Sequence, residues 1–120
     1  MMDLTFSDEA QTKLAPKMTA GDVLLLDLDD GIGPLSPYLK ENGLMYQLFI
    51  CPKTKVPSSF TKHFQTSLGP VYFTDVTEVY LDEHMKITYK PVQNRFELQS
   101  DQQIMESSLD LVNLNEQKNF

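Results

Sequence analysis

Short runs of alternating apolar and polar residues, each cut off by a glycine, proline or asparagine, restrict this chain to a mainly β architecture. The strongest run is Val23 to Asp29, where Leu24, Leu26 and Leu28 alternate with Leu25, Asp27 and Asp29 before Asp30-Gly31 ends it. Leu44 to Cys51 predicts a second long strand, and Pro52 and Pro57 bracket the loop after it. Val71–Phe73 and Glu78–Leu81 read as short strands. Met85, Ile87 and Tyr89 then alternate with Lys86 and Thr88, Asn94 marks a turn, and Phe96-Glu97-Leu98-Gln99 alternates again, which predicts a hairpin. Only the beginning of the chain has a helical signature. After an opening strand at Leu4–Phe6, Ser7 is placed as an N-cap, Asp8 and Glu9 suit the positive end of the helix dipole, Ala10 and Leu14 share one face, and Pro16 stops the run. Ser58 to Ser67 fits either state, because Phe60 and Phe64 stand at helical spacing. The loop from Ile32 to Gly43 and the polar stretch from Asp101 to Ser108 read as irregular, with Leu109, Leu111 and Leu114 in a last short element. The expected fold class is mainly β, or α+β: a compact sandwich of short strands with an N-terminal helix. Residues 1–114 make one domain, and residues 115–120 are expected to fray.

Bulk properties narrow the function classes. A chain of 120 residues with 41% hydrophobic and 22% charged residues can bury a core without disulfides. Its net charge of −7 opposes both the nucleic-acid backbone and anionic membrane surfaces, so neither is an expected partner. One cysteine, Cys51, excludes an internal disulfide and fits a reducing compartment. The start, Met1 to Thr5, lacks the basic and apolar segments of a secretory leader, and the longest apolar stretch, Val23 to Leu26, is far short of a membrane span. The expected location is the cytoplasm.

Few residues are arranged for chemistry. Asp27-Leu28-Asp29 at a strand end imitates the nucleophile strand of haloacid-dehalogenase-type phosphatases, which use two Asp with Mg²⁺ between them. Gly31 stands where those enzymes have Thr or Val, and the hairpins downstream are not βαβ units. The plainer reading is a strand whose polar face carries Asp27 and Asp29. The same run starts like a calcium loop, but no acidic residue occupies the closing position. Cys51 with His63 or His84 supplies too few ligands for a metal site, and Cys51 follows Leu48-Phe49-Ile50 as a buried strand residue would. Gly31-x-Gly33 lacks the third glycine and the helix of a phosphate loop. No catalytic residue is assigned, and no enzyme activity is expected.

Three stretches together resemble the HesB-like family, the A-type carriers of iron–sulfur cluster assembly, and within it the short proteins of Gram-positive bacteria. Leu4-Thr5-Phe6-Ser7-Asp8-Glu9-Ala10 is similar to that family's opening strand and Ser-Asp-x-Ala helix start. Leu24 through Asp30-Gly31-Ile32-Gly33-Pro34 resembles its strand leading to a Gly-Cys-x-Gly or Gly-Cys-Gly-Cys loop. Gly69-Pro70-Val71-Tyr72-Phe73, Leu81, Ile87-Thr88-Tyr89 and Phe96-Glu97-Leu98 follow its late hairpins. The resemblance implies a compact β-sandwich, a role in iron–sulfur biosynthesis, a protein partner from the assembly system and a homodimer.

It also implies iron or a cluster held by one loop cysteine and a Cys-x-Cys pair near the C-terminus. Here Ile32 stands at the loop cysteine, Pro34 at the second position some relatives use, and Met105 to Ser108 contain no cysteine. Cluster ligation depends on thiolates, so the residues themselves predict no metal ligand and no cofactor. The candidate binding segment is the loop Asp30, Gly31, Ile32, Gly33 and Pro34, within the stretch to Ser36. The leading expectation is an accessory or protein-binding member of the family. Its rivals are a divalent-metal phosphohydrolase using Asp27 and Asp29, and a degenerate fold with a structural or regulatory binding role.

Overall fold

The computed structural model of the chain describes residues 2–28 and 46–117. Asp29, the candidate loop Asp30–Pro34 and the rest of the stretch expected to be a loop lie outside the described residues. Strand β1 (Asp3–Phe6) leads into helix α1 (Asp8–Leu14), then β2 (Asp22–Leu28), β3 (Tyr46–Pro52), β4 (Lys62–Thr66), β5 (Gly69–Phe73), helix α2 (Asp75–Glu78), β6 (His84–Lys90), β7 (Arg95–Ser100) and β8 (Ile104–Asn113). Short 3₁₀ turns follow α1, β3 and β8.

The strands form one eight-stranded sheet in the order β1-β6-β7-β8-β3-β2-β5-β4. Its two end strands, β1 and β4, lie against one another, so the sheet curls into a nearly closed barrel. The two layers expected of a sandwich are therefore two halves of a continuous sheet. Strand β8 joins them: Ile104 to Leu109 pairs with β7, and Asp110 to Asn113 runs parallel to β3.

The start of the chain folds as its residues dictate. The Ser7 hydroxyl accepts from the Ala10 amide at 3.1 Å, and Ala10 and Leu14 are fully buried against the sheet. The predicted late hairpin is β6 with β7, paired from Met85↔Ser100 to Lys90↔Arg95. Asn94 takes a left-handed conformation (φ 54°) in its turn, which asparagine tolerates better than most residues.

One open reading is decided, two expectations need correction, and one residue expected on a polar strand face is buried. Ser58–Ser67 resolves as strand β4 from Lys62, with only Phe64 turned into the barrel; Phe60 packs on the outer face. Glu78–Leu81 is no strand: Asp75–Glu78 is a helical turn, because the Thr74 hydroxyl caps the Thr77 amide at 3.1 Å. The polar stretch before Leu109 belongs to β8, the longest strand. Its pairing shifts twice, between Phe96 and Leu98 and between Leu98 and Gln99, and such bulges destroy the two-residue period that identifies a strand. Asp27 stands on the polar part of β2's outer face, as expected, but is buried, 6% exposed.

The reason for the last point is that β2 and β3 are covered on both sides. Leu24, Leu26, Leu48 and Ile50 face the barrel interior. Val23, Leu25, Phe49 and Cys51 face outward into a second cluster roofed by Phe60 and Val56. Strands buried on both faces become continuous apolar runs, which is what Leu24-Leu25-Leu26 and Leu48-Phe49-Ile50-Cys51 are. Beyond β8, Leu114–Gln117 forms a 3₁₀ turn, tied down where Asn115 Nδ2 donates to Asp22 at 3.0 Å.

Candidate functional site

The site that can be built from described residues lies at the end of β2 and the start of β3, the two strand ends that flank the candidate loop. Asp27 and Leu28 end one strand, and Tyr46 and Gln47 begin the other in antiparallel register: Asp27 opposes Gln47 and Leu28 opposes Tyr46. Gln47 in turn lies beside Asp110 of β8. Directly paired residues point to the same face of a sheet. Asp27, Gln47 and Asp110 therefore form a polar row across three central strands, beyond the apolar outer cluster.

Asp27 is held by helix α2. The Thr77 hydroxyl, 1% exposed, donates to Asp27 Oδ1 at 3.0 Å. It accepts from the Leu28 amide at 3.3 Å and from the Thr74 hydroxyl at 3.2 Å. One donor and two acceptor positions are all a hydroxyl has, so Thr77 is fully used. It locks α2 to the end of β2.

Gln47 is the opposite case. It is 1% exposed, and neither its Nε2 nor its Oε1 has a hydrogen-bond partner among the described residues. A buried amide without partners costs about 1–3 kcal/mol. Gln47→Met, which keeps the volume and removes both polar atoms, is expected to stabilise the protein by about 1–3 kcal/mol in urea unfolding. A loss of stability instead would show that the amide is satisfied.

Tyr46 connects this corner to Met105–Ser108, the segment where the resemblance implies the family's C-terminal cysteine pair. Its amide donates to Glu106 Oε1 at 3.2 Å, and its hydroxyl donates to the Tyr80 carbonyl at 2.7 Å. Burial, reinforced by the Asp82 and Glu106 carboxylates, pushes the Tyr46 hydroxyl above its ordinary pKa, so it stays a donor. The fold thus brings the start of β3 beside Glu106, in the middle of Met105–Ser108.

The residues present do not fit a cluster. Cys51, the sole cysteine, is 1% exposed in the outer apolar cluster, and burial, with Asp22 nearby, raises its thiol pKa despite an opposing effect from Lys55. A thiolate ligand needs the reverse. Among the described residues, no three His, Cys, Asp or Glu side chains gather into a metal-binding group. His63 is exposed on β4, its ring 5.4 Å from that of Tyr72. His84 opens β6, more than half exposed, 3.1 Å from Asp3 Oδ2. Among the described residues neither is hydrogen-bonded to Cys51, whose thiol donates to the Pro52 carbonyl at 3.2 Å. The phosphatase reading also loses its scaffold, since β2 is flanked by antiparallel β3 and parallel β5 rather than by a doubly wound parallel sheet.

Gln47, Thr77, Tyr46 and Glu106 are not among the residues that the sequence alone singles out. Thr74 three residues before Thr77 was a readable capping signal. Nothing in the sequence marks Gln47, whose burial depends on what the fold lays over it.

Comparison with known proteins gives a consistent picture. A family model described as iron-sulphur cluster biosynthesis matches residues 2–113. No curated protein matches the chain. The crystal structure of a proposed Fe-S biosynthesis protein from Lactobacillus salivarius superposes with a TM-score of 0.83 at 23% identity, covering 93% of this chain and 98% of that one. A second, from Lactobacillus acidophilus, gives a TM-score of 0.74 at 22% identity, with 98% of each chain covered. At that identity the two structures establish the fold. The match of the family model over nearly the whole length establishes more: the chain belongs to the iron–sulphur cluster biosynthesis family, the HesB-like family its sequence resembles.

Proposed function

We propose that this protein serves iron–sulfur cluster biosynthesis as an accessory, protein-binding member of its family, and that it neither ligates a cluster nor catalyses a reaction. The observation that carries the reading is the state of Cys51: the chain's single thiol is packed among Val23, Leu25, Phe49 and Phe60, away from the strand ends that flank the candidate loop. Cluster ligation depends on thiolates. At the other region in question, Glu106 accepts the Tyr46 amide.

Expression in iron-replete medium and purification without oxygen should yield substoichiometric iron, no acid-labile sulfide and no cluster band in the visible spectrum. Stoichiometric iron with sulfide would overturn the reading and send attention to Cys51 and to the carboxylates from Asp27 to Asp30.

A further inference from the structure

We draw no further inference here: the strongest candidate, the polar row of Asp27, Gln47 and Asp110 across β2, β3 and β8, belongs to the site already described, and because Asp27 and Asp110 each have an interaction partner and the row adjoins residues 29–45, which lie outside the described residues, nothing in the structure shows what the buried Gln47 amide, without a partner among the described residues, would bind.

Discussion

Phe49→Ala is expected to cost about 3–5 kcal/mol, the range for removing a fully buried aromatic ring. Phe49 is 0% exposed and lies on β3 in the outer cluster. Two features keep the cavity from closing. Strand β3 is fixed on both sides by pairing to β2 and β8, and the ring's neighbours Leu25 and Cys51 stand on those same ordered strands. The roof, Phe60 and Val56, can settle only as far as the short turn after β3 allows. The measurement is urea unfolding followed by circular dichroism, since the chain has no tryptophan. The midpoint should fall with little change in slope. A loss below about 1.5 kcal/mol would mean that the outer cluster collapses onto the gap and is not packed as a second core.

Thr77→Val should cost about 2–3 kcal/mol although the shapes match, because hydrogen bonds to charged groups contribute about 1.5–3 kcal/mol. Valine removes the donor to Asp27, an acceptor for the Leu28 amide and the partner of Thr74 in one step. Asp27 stays buried, so solvent cannot replace the lost donor freely. Thr77→Ser keeps the hydroxyl and is expected to lose only about 1 kcal/mol for the methyl group. Equal losses in the two variants would show that Thr77 acts through packing alone.

Much of the fold was legible because local and global demands agree. Ser7, Ala10, Leu14 and Pro16 specify α1 by capping, spacing and termination alone. Met85-x-Ile87-x-Tyr89 and Phe96-x-Leu98 specify a hairpin because each strand hides one face in the barrel and turns the other outward. The misread elements are those where tertiary context overrode the pattern. Val79, Tyr80 and Leu81 have strand propensity, yet the Thr74 cap and the anchor at Asp27 make a helical turn of the residues before them. The bulges of β8 conceal a long strand behind an aperiodic sequence. The candidate loop Asp30–Pro34 lies outside the described residues, so the site is known here from its two strand ends.

The sequence by itself determined a β-rich domain with one early helix, its resemblance to the HesB-like family and the lack of any cysteine besides Cys51. Those follow from periodicity, motif order and residue identity, all of which are local to the chain. Only the tertiary structure decided that Asp27 and Gln47 are buried, that Tyr46 meets Glu106, and that Val76, Val79 and Tyr80 face outward. Burial and long-range hydrogen bonding depend on which strands become neighbours. In a sheet that pairs β1 with β6 and β3 with β8, those neighbours come from segments more than 50 residues apart in the chain.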